Sequence, residues 1–148
     1  MLNINRILVV LDKGSSELQA LKKGIWLARS VNAELTLMTN TWDSFSAENT
    51  SLDLDTRNQL REGLISQAEQ WLNSFIHDEK DIKINVDVRW QKHLYEAVIN
   101  ATEESNYDLV LKRPNKHSLL DRIFTPVDWN LLRHCPAPIM PKIGEYIP

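Results

Sequence analysis

Two short polar segments hold the residues whose types and positions suit ligand binding. Asp12 directly follows the apolar run at residues 7–11, and a basic segment at residues 112–122 follows the apolar run at residues 109–111. An aspartate in such a place can contact a ribose or a metal ion, and a basic segment can hold a phosphate or an acidic partner. Each also has a structural interpretation, which we favour: Asp12 ends a strand, and the basic residues form a solvated surface loop.

The other candidate groups do not form a catalytic or metal-binding pattern. Cys135 is the single cysteine, which excludes an internal disulfide and a multi-cysteine zinc site. His134 beside it cannot complete a tetrahedral site alone. The other histidines fall on different predicted elements, namely His77, His93 and His117. No serine or cysteine has a local motif that pairs it with a base. We therefore predict no catalytic residue, no metal ligand and no enzymatic activity.

Apolar patterning predicts five strands, which position these segments. The runs at residues 7–11 and 109–111 are apolar without alternation, as in strands buried on both faces of a parallel sheet. Residues 82–90 alternate apolar and polar side chains, which indicates a strand with one solvated face at the edge of a sheet. The predicted strands cover residues 5–12, 34–41, 82–91, 107–112 and 138–142.

Helical spacing of apolar residues predicts three helices between these strands, and the start signal at residues 125–128 predicts a fourth that Pro136 ends. The predicted helices cover residues 16–31, 60–75, 94–101 and 125–135, and residues 42–54 are predicted to be an irregular loop. Trp26 and Trp71 fall on the apolar stripes of the first two helices, so both are predicted to be core residues. Trp42, in the polar loop, is predicted to be the exposed tryptophan.

The order of these elements predicts an α/β domain with a largely parallel sheet, right-handed crossovers and helices on both faces. The two runs without alternation form its central pair of strands. Ligands of such sheets bind beyond the carboxyl ends of the strands, where the strand order reverses. That rule brings Asp12 and the basic segment to one place, and any small-molecule site is expected there.

Length and composition limit the class of protein. The 148 residues suffice for one domain, which we assign to residues 1–148, either alone or as the first half of a tandem protein. The net charge of −3 argues against a nucleic-acid binder. No apolar run approaches the roughly 20 residues of a membrane span, and the amino terminus has no secretory signal pattern. We therefore expect a cytoplasmic location.

Three segments resemble the universal stress protein family. They are residues 7–12 (ILVVLD), residues 107–112 (YDLVLK) and residues 123–138 (IFTPVDWNLLRHCPAP), and the similarity extends over essentially the whole chain. The resemblance implies a flavodoxin-like sheet of five strands in the order 3-2-1-4-5. It also implies association through the last strand, as a homodimer or as a tandem pseudo-dimer.

The nucleotide-binding members of that family carry a glycine-rich phosphate loop that differs from this chain. Their pattern is Gly, two residues, Gly, nine residues and then Gly-Ser or Gly-Thr. The corresponding positions here are Lys112, Asn115 and Thr125 followed by Pro126. Glycines let the backbone close on the phosphates, and the helix start supplies free donors. Asp12 does match the family, at the acidic residue that ends the first strand.

These differences predict a degenerate nucleotide site at Asp12, Lys112, Asn115 and Thr125. Thr125 suits the N-cap of the fourth helix and Asp128 suits its first turn, so this helix start satisfies its own donors. We expect a regulatory or binding module of the stress response that holds no cofactor. The alternatives are a member that binds and weakly hydrolyses ATP through an altered loop, and a module whose role is to pair with a second such domain.

Overall fold

The computed structural model describes residues 4–12, 18–77, 79–112 and 139–140. The strands in these residues are β1 (Arg6–Val10), β2 (Glu34–Asn40), β3 (Ile84–Arg89), β4 (Leu109–Lys112) and β5 (Ile139–Met140). They form one parallel sheet in the order β3-β2-β1-β4-β5. The predicted flavodoxin-like fold is confirmed, although β1, β2, β3 and β4 are each shorter than predicted. Residues 138, 141 and 142 of the predicted last strand lie outside the described residues.

The helices of the described residues are α1 (Leu18–Val31), α2 (Ser44–Glu48), α3 (Leu54–Asn73) and α4 (Leu94–Glu104). Three of them, α1, α3 and α4, confirm predicted helices. The prediction of an irregular loop over residues 42–54 is wrong, because α2 lies within it and Leu54 begins α3. The Asp43 carboxylate caps α2, since it accepts hydrogen bonds from the backbone N–H and the hydroxyl of Ser46, at 2.9 and 2.8 Å.

Helices cover both faces of the sheet, and each face has its own core. α1 and α3 cover one face, where Leu72 of α3 belongs to the same buried cluster as Val9 and Leu37. α4 covers the other face, where Val98 belongs to a second cluster together with Val10. Neighbouring residues of β1 thus point into different cores, which is why its sequence is apolar without alternation.

β3 is an edge strand, as its alternating sequence predicts. Its apolar side chains, including Val86 and Val88, pack against the core under α1 and α3. On its other face Asp87 and Arg89 form an ion pair at 2.9 Å, and Arg89 also pairs with Glu104 of α4. The hydrogen bonds that the Arg89 guanidinium donates to Asp87 raise the pKa of Arg89 above its ordinary value. All six residues of β3 are half-buried, so the face predicted to be solvated is partly covered by this network.

Two of the predictions for tryptophans are also wrong. Trp26 is 53% exposed, because Ile25 occupies the core-facing position of α1 and Trp26 lies to one side of it. Trp42 is half-buried rather than exposed, and the Nζ atom of Lys92 lies 5.8 Å from its ring centroid. Trp71 does pack against the core under α1 and α3, as predicted.

Asp108 joins the amino ends of β1 and β4. Its Oδ2 atom accepts hydrogen bonds from the backbone N–H groups of Asn5 and Arg6, at 2.8 and 3.0 Å. Its own N–H donates to the carbonyl of Arg6 at 2.8 Å, and the Arg6 guanidinium lies 4.9 Å from the Tyr107 ring centroid. Tyr107 and Asp108, from one of the three segments that resemble the family, therefore stabilise the amino edge, opposite the candidate site.

Candidate functional site

Asp12 and Lys112 lie at the carboxyl edge of the sheet, at the ends of the neighbouring strands β1 and β4. Lys112 is the last residue of β4, and its register partner in β1 is Val10, two residues before Asp12. The structure thus brings two of the predicted site residues to the same edge. The other two, Asn115 and Thr125, lie outside the described residues, together with the predicted fourth helix and the rest of the basic segment.

Lys112 differs from an ordinary surface lysine, because it is 3% exposed. Its interpretation as part of a solvated loop is therefore wrong: it ends a strand whose four residues are all buried. Lysines are rarely buried to this extent. The long aliphatic stem of Lys112 fills interior space at the edge where ligands of such sheets approach the backbone. Asp12, in contrast, is exposed.

Asn40 fixes the neighbouring part of this edge, where β2 and β3 end. Its side-chain Nδ2 donates to the carbonyl of Gln91 at 2.8 Å, and its Oδ1 accepts from the N–H of Gln91 at 2.9 Å. The backbone N–H of Thr41 donates to the carbonyl of Arg89 at 2.9 Å. These bonds hold the turn after β3 against the segment after β2.

Charged side chains on this part of the edge serve to hold the segments together. Lys92, which lies over Trp42, is 3.7 Å from the Oε2 atom of Glu48 on α2. The capping hydrogen bonds from Ser46 hold the pKa of Asp43 below its ordinary value. Because each carboxylate has a partner within the fold, Glu48 and Asp43 have a structural role.

A further basic group, which the sequence interpretation did not include, lies between α3 and the end of β3. The Cζ atom of Arg61 is 5.9 Å from the ring centroid of Trp90. Arg57, one turn earlier, has a buried Nε that makes no hydrogen bond with any residue that the structure describes. Nearby, Asp53 caps α3: hydrogen bonds from Thr56, and then the charge of Arg57, hold the pKa of Asp53 below its ordinary value. The spacing of four residues between the two arginines was the sequence signal that could have identified this group, because residues four apart are neighbours on the surface of a helix.

The described part of this edge offers cationic and aromatic groups. Such groups attract anions. Within the described ranges, no three His, Cys, Asp or Glu side chains are grouped so that they could hold a metal ion. Among those same residues, no helix has both the length and the apolar character that crossing a membrane requires.

The fold and this edge define a doubly wound α/β domain, and comparison with known proteins gives its family. The sequence model of the universal stress protein family matches residues 3–140, so the chain belongs to that family. Universal stress protein E of Photorhabdus laumondii is 32% identical to it over 142 residues, which are 94% of this chain and 45% of that protein. The chain thus spans about half the length of the curated relatives it matches.

Solved structures of the family share the fold. The universal stress protein UspA from Lactobacillus plantarum is 16% identical, and the match covers 95% of this chain and 98% of that chain with a TM-score of 0.75. A universal stress protein in complex with cAMP is 15% identical, and the match covers 94% of this chain and 96% of that chain with a TM-score of 0.64. At these identities the likeness establishes the fold alone.

Proposed function

We propose that this chain is a regulatory binding module of the stress response whose degenerate nucleotide site binds ATP weakly or not at all and performs no catalysis. Family membership supports the role in the stress response. The burial of Lys112 is the observation that carries the rest of the proposal. We expect the module to act in the cytoplasm.

The argument rests on what a phosphate group needs from a protein backbone. It needs N–H donors that point at it and no side chain in between, which is why glycines occur in phosphate loops. Lys112 stands where the family motif has its first glycine, and its side chain is almost completely inside the protein. Asn115 and Thr125 also carry a Cβ at the corresponding glycine positions. The surrounding basic residues attract anions but do not create a shaped cradle.

A second candidate function is ATP binding with weak hydrolysis through an altered loop. Asp12 favours it, because this exposed carboxylate lies at the end of β1, where the family has an acidic residue. The cAMP complex of a structural neighbour also favours it, since that protein binds a nucleotide on the same fold. In this alternative Asp12 contacts the ribose.

Mass spectrometry of small molecules extracted from the purified protein tests the two candidates. We expect no nucleotide in stoichiometric amount, because Lys112, Asn115 and Thr125 stand at the glycine positions of the phosphate loop. The Asp12→Ala variant is the control, and its extract should match that of the wild type. Stoichiometric ATP or cAMP in the wild type that disappears in the control would refute the proposal.

We further propose that the chain associates through β5, either with a second copy or with a sibling domain. β5 is the last strand of the described sheet, and an edge strand offers backbone groups for pairing. Pro141 removes one donor, so the pairing should be short. The greater length of the curated relatives supports a tandem arrangement.

Light scattering during size-exclusion chromatography of the 148-residue chain measures this association. We expect a concentration-dependent dimer, because a short pairing edge gives a modest affinity. A monomer at every concentration, in a protein that also has no sibling domain, would contradict the proposal.

A further inference from the structure

Two arginines of α3 differ from the other arginines of the described residues. Arg6, Arg29 and Arg89 each form an ion pair with at least one carboxylate. Within the described part of the chain, Arg57 and Arg61 form none; the contact of Arg61 is with an aromatic ring. Because they are four residues apart, both side chains project from the same face of α3.

This pair of arginines carries two unfavourable features. The buried Nε–H of Arg57 makes no hydrogen bond with a described residue, and a buried donor without an acceptor is destabilising. Like charges four residues apart on a helix also repel each other. Asp53 lies near Arg57, but its carboxylate accepts a 2.7 Å hydrogen bond from the backbone N–H of Thr56. An anion that accepts from Arg57 and neutralises both guanidinium groups would relieve both features.

Trp90 places this pair at the ligand-binding edge of the sheet. It directly follows β3, and its ring packs with the Arg61 guanidinium at 5.9 Å, which restricts the orientation of that side chain. α3 connects two parallel strands and runs back across the sheet, so its first turns lie at the carboxyl edge. Arg57 is therefore nearer to that edge than Arg61. Both residues can be reached from solvent, since Arg61 is exposed and Arg57 is partly exposed.

We propose that Arg57, Arg61 and Trp90 form a binding site for the phosphate group of a small molecule. A phosphate has enough acceptor oxygens and charge to bridge two guanidinium groups, and charge-assisted bonds of this kind are strong. The site lies on the same carboxyl edge as Asp12 and Lys112 but at a different position along it, because β2 lies between β3 and β1. It goes beyond the proposed function and needs no phosphate loop.

Nuclear magnetic resonance of the arginine Nε–H groups tests this site with inorganic phosphate as the probe. Sodium phosphate should give a saturable shift of the Arg57 Nε–H signal, while sodium chloride at equal ionic strength should not. Arg61→Gln should weaken phosphate binding about tenfold, because one charge-assisted interaction is lost. Arg29→Gln is the matched control, with the same change of charge at an exposed arginine, and it should leave the affinity unchanged.

A second arm repeats the titration with AMP, which shows whether a phosphate ester is preferred to free phosphate. The proposal would be overturned if the Arg57 Nε–H signal shifted linearly with phosphate and by the same amount with chloride. An unchanged phosphate affinity in Arg61→Gln would also overturn it. Failure of this phosphate-site proposal does not affect the proposed function, since that is tested separately by comparing nucleotide binding in the wild type and in Asp12→Ala.

Discussion

Replacing Leu72 by alanine is expected to lower the free energy of unfolding by about 3 kcal/mol, within the usual range for buried leucines. Leu72 is 0% exposed and belongs to the core between α3 and the sheet. The shorter side chain loses its apolar contacts and leaves a cavity that close-packed neighbours fill only in part. Urea denaturation followed by circular dichroism measures the change.

Leu60→Ala is the control for this prediction, because it makes the same substitution on the same helix. Leu60 is 38% exposed, so its truncation should change the free energy of unfolding by less than about 1 kcal/mol. Equal losses in the two variants would mean that α3 packs on the sheet through a different face.

Gly24→Ala is expected to lower the free energy of unfolding by about 1–2 kcal/mol, although alanine favours a helix by roughly 1 kcal/mol. A Cβ at Gly24 would lie 2.6 Å from the Cγ2 atom of Val9 in β1. The same Cβ would lie 3.6 Å from Leu35 in β2 and 3.6 Å from Leu111 in β4, the strands on either side of β1. Val9 is fully buried and β-branched, so it cannot rotate away without cost. α1 must therefore move away from β1, and thermal or urea denaturation would detect the loss.

Gly63→Ala is the matched control, because a Cβ at Gly63 meets nothing within 4 Å. This substitution on α3 should raise the free energy of unfolding by up to about 1 kcal/mol through helix propensity alone. The changes in the free energy of unfolding of the two variants are thus expected to have opposite signs. A gain in stability for Gly24→Ala would contradict the close packing of α1 on β1.

The sequence predicted an element correctly where its apolar pattern is compatible with only one position in the fold. The apolar run of β1 suits only a strand covered on both faces, and the alternation in β3 predicted its edge position. α2 could not be predicted, because its five residues depend on a cap from Asp43 rather than on an apolar stripe. Trp26 was wrongly predicted to be a core residue, because it lies at the side of the apolar stripe of α1. The sequence pattern of one helix does not show whether a neighbouring element covers that side.

The position of the candidate site followed from topology, but its chemistry did not. Parallel strands bring their carboxyl ends together, which is why Asp12 and Lys112 could be assigned to one edge. The burial of Lys112 was unexpected, because lysine is ordinarily a surface residue. The contact of Arg61 with Trp90 joins residues that are distant in the sequence, so only the packing of α3 on β3 reveals it.

Calorimetric titration of the protein with ATP and magnesium tests the central claim, that the nucleotide site is degenerate. We expect a dissociation constant of about 1 mM or weaker, which corresponds to a binding free energy of roughly −4 kcal/mol or less favourable. Asp12→Ala should give the same weak heats, because the remaining attraction comes from positive charge rather than from a shaped site. A micromolar dissociation constant that is lost in Asp12→Ala would contradict the account.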